Sequence, residues 1–151
     1  MWMVTQNSQG ETLMSYFDWD DAYSVCVERL DQDHKHLFDL LNKAHDACAV
    51  SMRPESYPLI VQELIDYLRH HFAAEEAYMN QIKYPDIAAH KLEHQRFYNQ
   101  VLAYQQKIYE NKEDYTKEVC ELTDTIYNWL RHHLLNVDQQ YTNFVVLSHF
   151  K

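Results

Sequence analysis

The sequence predicts an all-α fold: an antiparallel up-down-up-down four-helix bundle with an extended N-terminal arm. Three observations carry this. One Gly and three Pro in 151 residues leave too few turn formers for a β-rich fold. Apolar residues recur in steps of three and four along four separate stretches, the mark of helices with one buried face. The connections between those stretches are short, and short connections join antiparallel neighbours. A chain of this length fits one domain with a sizeable core.

Residues 1–18 read as a poorly ordered or surface-lying arm, because Thr5 to Thr12 is polar. Residues 19–151 form the bundle. Trp19 to Leu30 reads as an extended segment laid along the domain, since nothing later offers a strand partner. Asp31 is placed as the N-cap of helix A, and Asp33 adds negative charge to its first turn. Helix A runs to about Val50 on the stripe Leu30, His34, Leu37, Leu41, Ala44 or His45, and Cys48. Pro54 breaks the chain, and Pro58 suits the first turn of helix B. Helix B ends near Lys83; its stripe is Leu64, Leu68, His71, Glu75, Tyr78 or Met79, and Ile82. Pro85 restarts the chain into helix C, with His90, His94, Phe97, Val101, Tyr104 and Ile108. Asp114 is a candidate N-cap for helix D, whose stripe is Leu122, Ile126, Trp129 or Leu130, His133, Val137 and Tyr141. The apolar tail Phe144 to Phe150 either continues helix D or packs back on the bundle.

Composition excludes several classes. The net charge of −10 gives no basic stripe for phosphates, so nucleic acid is not expected as a partner. No run of 18 apolar residues exists to span a membrane, and Met1 to Gly10 lacks the features of a signal peptide. Cys26, Cys48 and Cys120 are scattered and odd in number, so reduced thiols and a cytoplasmic location are expected, with Cys48 packing as a small apolar residue.

The chemistry lies in what the inward stripes carry. His71 and Glu75, four apart, sit about 40° from each other on one helix face. His90 and His94 repeat that spacing. His34 lies on the stripe of helix A, and His133 on that of helix D. Asp138 follows His133 by five, a turn of about 140° on a regular helix, so Asp138 must reach round or the helix must widen there. In the doublets, stripe membership selects His71 over His70, His133 over His132, and Glu75 over Glu76. Each histidine alone is more often a solvated or core-edge residue than a ligand. That reading is kept for His36, His45, His70, His132 and His149. Five imidazoles and two carboxylates on four inward stripes would cost several kcal/mol without a compensating centre, at about 1–3 kcal/mol per buried unsatisfied group. Seven donors exceed a four-ligand structural zinc site. They suit two metals bridged by carboxylates, and nitrogen and oxygen donors without thiolate favour iron or a similar metal.

These motifs resemble those of the hemerythrin family, in its bacterial branch. The matching residues are Trp19 with Tyr23, the run from Leu30 to Lys35, the run from His71 to Glu76 with Met79, His90 with His94, and the run from Trp129 to His133 with Asp138 and Tyr141. They span roughly residues 17–145. The family is itself a standard example of the up-down bundle. The resemblance implies one iron held by His90, His94 and His133, and a second held by His34 and His71 with an open position. Glu75 and Asp138 would bridge the two, with an oxo or hydroxo group. Dioxygen would be the partner, bound and released as dioxygen in a pocket of Leu37, Phe72, Trp129, Leu130 and Leu134. Neutral imidazoles, with only two carboxylates, favour reversible binding over O–O cleavage. A non-enzymatic oxygen binder is therefore expected. The alternatives, in order, are a di-iron enzyme acting on peroxide or nitric oxide, a metal-binding partner module, and a metal-free structural bundle.

Overall fold

The computed structural model describes residues 3–6, 12–15, 17–49, 57–110 and 116–149. Four long helices are present: α1 (Glu28–Ala49), α2 (Tyr57–Gln81), α3 (Ile87–Glu110) and α4 (Thr116–His132). A five-residue π-helical turn, His133–Val137, follows α4 and leads into α5 (Asp138–Ser148). Helix D of the sequence is therefore one rod with a bulge in it, and the apolar tail continues that rod as far as Ser148. Val146 and Leu147 remain exposed on it. The proposed cap Asp114 lies outside the described residues.

The arm departs from expectation. Met3–Gln6 (β1) and Thr12–Ser15 (β2) pair antiparallel, with Met3 opposite Ser15 and Gln6 opposite Thr12. Two short runs containing Val4, Thr5 and Thr12, separated by a polar stretch holding the single Gly10, are a hairpin signal. Reading the arm by polarity alone passes over it.

The segment before α1 lies along the domain but is not uniformly extended. Asp21–Tyr23 form a 3₁₀ turn, capped by the Asp20 carboxylate accepting from the Ala22 N–H. The Phe17 N–H donates to Asn42 Oδ1, and Asn42 Nδ2 donates back to the Phe17 carbonyl, at 2.9 and 3.0 Å. Gln139 and Thr142 donate to the carbonyls of Ser24 and Val25.

Asp31 is not the N-cap of α1, because the helix already starts at Glu28. Its carboxylate instead accepts from the Ser24 hydroxyl at 2.6 Å and the Val25 N–H at 2.9 Å. The same side-chain chemistry thus closes the preceding turn, where Cys26 takes a positive φ of 61°. At the end of α2 Lys83 also has positive φ, 57°. Tyr84 N–H bonds back to the Met79 carbonyl and Lys83 N–H to that of Asn80. That is a Schellman closure with lysine where glycine is usual, and Pro85 follows it.

The cysteine expectation is corrected. Cys48 near the end of α1 and Cys120 near the start of α4 form a disulfide, with Cα atoms 6.0 Å apart. Antiparallel helices bring the two together across 72 residues of sequence, a proximity that local spacing cannot show. Cys26 is the free, exposed thiol among the described residues. The cysteines therefore no longer argue for a reducing compartment. No described helix is long and apolar enough to cross a membrane.

The interior is layered. A large apolar cluster fills most of the bundle, from Ala47, Tyr57 and Val119 at one end to Leu37, Phe72, Leu130 and Leu134. A second cluster, Val25, Leu30, Met79, Tyr84 and Tyr141, closes the other end. Along each helix the polar inward residues fall between the two: His34 between Leu30 and Leu37, and Glu75 between Phe72 and Met79. A seven-residue polar layer interrupts the core there.

Candidate metal centre

All seven residues selected from the stripes are buried: His34, His71, Glu75, His90, His94, His133 and Asp138. His70 and His132, their rejected neighbours, are exposed, as are His36 and His149; His45 is half-buried. Antiparallel packing makes the convergence possible. The layer lies early in α1 and α3 and late in α2 and α4, which is the same end of the bundle in each case.

The π turn solves the spacing problem at Asp138. The Asp138 N–H bonds to the His133 carbonyl, five residues back. Widening the turn to an i→i+5 bond brings residues five apart onto one face. His133 Nε2 then lies 2.9 Å from Asp138 Oδ1.

The seven donors sort into two sets. His90, His94 and His133 form one: Nε2 of His133 is 2.9 Å from that of His90 and 3.2 Å from that of His94. His34 and His71 form the other, with ring centroids 4.2 Å apart. Each carboxylate divides its oxygens between the sets. Glu75 Oε2 faces His71 and His34 at 2.8 and 3.5 Å, while Oε1 faces His90, His94 and His133 at 2.8, 3.5 and 3.8 Å. Asp138 Oδ2 faces His34 at 3.6 Å, and Oδ1 faces His90 at 3.1 Å and His133 at 2.9 Å. Within each set, Glu75 included, the donor atoms lie within 4.8 Å of one another.

The arrangement is only partly a hydrogen-bonded polar core. Both oxygens of Glu75 and of Asp138 are buried without a hydrogen bond of proper geometry, as are both nitrogens of His34. Three imidazole Nε2 atoms also crowd at 2.9–3.2 Å, where they either share protons with one another or ligate one cation between them, while the Glu75, Asp138 and His34 atoms stay unpartnered. Buried polar groups left this way cost about 1–3 kcal/mol each. Donor chemistry and convergence both fit a pair of first-row metal ions sharing two carboxylates.

Electrostatics without metal follow from the same contacts. Burial opposes charge on His133, but the carboxylates of Asp138 and Glu75 outweigh it and raise the pKa to about 10. Burial likewise opposes charge on His71 and His90. Asp33 with Glu75 in the first case, and Asp138 with Glu75 in the second, lift each to about 9. For His34, burial and then the neighbouring charge of His71 win, and the pKa falls. Burial pushes Glu75 up, yet the imidazoles of His133, His34, His71 and His90 together hold it well below the usual carboxylate range.

A second layer of carboxylates stands behind the imidazoles, and sequence reasoning did not find it. His94 Nδ1 is hydrogen-bonded to Glu76 Oε1 at 3.0 Å. Glu93 Oε2 lies 3.4 Å from His133 Nδ1, and Asp33 Oδ2 lies 3.6 Å from His71 Nδ1. Outer carboxylates commonly orient metal-binding histidines. Asp33 and Glu76 adjoin selected residues, His34 and Glu75, which is the one signal that could have marked them. Glu93 carries the same signal, since it immediately precedes His94.

Aromatic and aliphatic walls enclose the layer on the large-core side. Phe72 stacks on His94 (centroids 4.0 Å, 10° between planes), and Trp129 stacks on His133 (4.2 Å, 17°) and on Phe97 (4.0 Å, 3°). Leu37, Leu130 and Leu134 are fully buried in the same cluster, and Trp129 is half-buried against it.

Comparison with known proteins agrees with this geometry. The family described as the hemerythrin HHE cation-binding domain matches residues 26–145. A bacteriohemerythrin of Clostridium acetobutylicum is 30% identical over 128 residues, covering 83% of this chain and 98% of its own. One from Methylococcus capsulatus is 33% identical over 129 residues, 85% of this chain and 95% of its own. The crystal structure of a wild-type hemerythrin superposes with a TM-score of 0.76 at 30% identity, over 85% of this chain and 96% of that one. With the family match spanning the bundle and its buried histidine and carboxylate layer, the chain belongs to the hemerythrin family.

Proposed function

We propose that this protein binds dioxygen reversibly at a non-haem di-iron centre. His90, His94 and His133 would hold one iron and His34 and His71 the other, with Glu75, Asp138 and an oxo or hydroxo group as bridges. The carrying observation is the division of each carboxylate between the two imidazole sets. A carboxylate serving a single ion would turn both oxygens to one set.

The iron pair, when bound, supplies reversible two-electron chemistry toward dioxygen. The chain's own residues bias that chemistry toward binding. Five imidazoles are neutral donors, and two carboxylates add little anionic charge to favour higher oxidation states. Leu37, Phe72, Leu130 and Leu134 keep water from the layer, and Trp129 covers the face of His133. Bound dioxygen would sit among these five side chains.

Anaerobic reconstitution with ferrous iron, followed by a spectrophotometric oxygen titration, tests the reading. Two irons per chain and a visible charge-transfer band that disappears under vacuum and returns in air are expected. Irreversible oxidation at the first exposure would overturn it.

One observation favours a second reading, an enzyme reducing peroxide or nitric oxide. The Tyr141 hydroxyl is buried without a hydrogen-bond partner, and its ring lies 5.8 Å from that of His90. Burial, then the charges of Glu75 and Asp138, hold its pKa well above 10, so it stays a neutral hydroxyl able to donate a hydrogen bond beside the layer. Steady turnover with an added reductant, abolished in Tyr141→Phe, would establish that reading instead.

A further inference from the structure

The two imidazole sets are backed unequally. Behind the three-histidine set, Glu76 and Glu93 lean in from the surface, with side chains 28% and 48% exposed. Behind the two-histidine set stands Asp33, whose side chain is only 14% exposed. It is fixed in turn: Tyr67 donates its hydroxyl to Asp33 Oδ1 at 3.0 Å, which leaves Oδ2 toward His71 Nδ1. Tyr67 precedes His71 by one turn of α2, while Asp33 immediately precedes His34 on α1. One carboxylate therefore couples the helices that carry both histidines of this set. The ordinary reading, a solvated charge near a helix start, does not explain two engaged oxygens or the low exposure. At 3.6 Å the approach to His71 is an electrostatic contact and not yet a full hydrogen bond.

We propose that Asp33 and Tyr67 are a positioning pair for His71, fixing its ring so that Nε2 is presented to the metal and thereby setting how tightly the two-histidine set holds its ion. The inference builds on the di-iron reading. It concerns residues outside the seven donors, and it predicts that the two ions differ in lability for a reason outside the donor count.

The test follows metal release from the intact chain to an excess of chelator, for wild type, Asp33→Asn, Asp33→Glu and Tyr67→Phe. Asp33→Asn is expected to speed loss of one ion per chain by about 10- to 100-fold, the usual effect of removing an outer partner, with the other ion within about two-fold of wild type. Tyr67→Phe should speed the same ion several-fold, and Asp33→Glu should recover part of the loss. A general folding defect would speed both ions together and lower the thermal midpoint of the metal-free chain. Either that outcome, or release unchanged in Asp33→Asn, overturns the proposal. The same measurement with cobalt(II), followed by its visible bands, involves no oxygen chemistry. The positioning role therefore stands or falls there even if the iron-loaded protein fails to bind oxygen.

Discussion

The two halves of this bundle are built on opposite principles. In the half away from the polar layer the interior is apolar, with Val61, Val101, Ile108, Val119, Leu122 and Ile126 all buried. Its end is fastened by the Cys48–Cys120 disulfide and by Tyr57 donating to the Ala47 carbonyl at 3.0 Å. Such packing stabilises the fold unaided, at about 25 cal/mol per Å² of apolar surface buried. The other half carries buried imidazoles and carboxylates, among which both oxygens of Glu75 and Asp138 and both nitrogens of His34 lack proper hydrogen bonds, and a helix that leaves α geometry at His133–Val137. Buried polar groups and an irregular turn both cost stability. The lesson is a division of labour: one half secures the fold, and the other is left dependent on what it binds.

The largest test of this contrast removes the residue common to both donor sets. Glu75→Ala deletes the carboxylate that faces all five imidazoles. Iron content should fall from two to at most one per chain, with no oxygen-dependent band, while circular dichroism stays helical because the apolar half persists. Retention of two irons would show that Asp138 alone can join the sets and that the division of Glu75 is incidental.

Much of this site was legible in the sequence because stripe position reports burial. His71 and His133 were separated from His70 and His132 by the apolar residues preceding them, and the five-residue gap to Asp138 demanded a widened turn. What could not be read was decided by contacts distant in sequence. Asp33, seen only as a helix-terminal charge, acts on His71 from another helix. Cys48 and Cys120 meet only once α1 and α4 lie side by side. Asp31 was given the right chemistry at the wrong place: it caps a turn, but the one formed by Ser24 and Val25.

A second test uses the charge state of the metal-free layer. His71, His90 and His133, with pKa values raised to about 9, 9 and 10, are protonated at pH 7 and must lose those protons to bind metal. Loading at pH 7.5 should therefore release protons from the chain, read with an indicator dye, and iron affinity should rise with pH up to about 9. The sign for folding is opposite. A histidine whose pKa is raised by folding stabilises below its unfolded value of about 6.5, and that contribution fades as pH climbs through 9 to 10. The thermal midpoint of the metal-free protein should fall over that window, and that of the iron-loaded protein should not. Hydrogen exchange should place the loss in α5 and the π turn, with the apolar half still protected. A midpoint flat with pH in both forms would mean the polar layer is no weaker than the core beside it.

The smallest effect on function should come from the far end. Cys48→Ser opens a cross-link spanning 72 residues of sequence. Removing a bridge of that kind costs about 2–4 kcal/mol, chiefly by freeing the unfolded chain, or roughly 5–15 °C in melting temperature for a chain of this size. Iron stoichiometry and the oxygen-dependent band should be unchanged, because the bridge lies more than three helical turns from His34 along α1 and from His133 along α4, at about 5.4 Å per turn. Combining Cys48→Ser with iron removal then decides whether the halves are independent. Independent halves give midpoint losses that add, as sites without shared partners do. A combined loss much larger than the sum would show that the disulfide-clamped half had been holding the polar layer together, and the contrast between the halves would have to be given up.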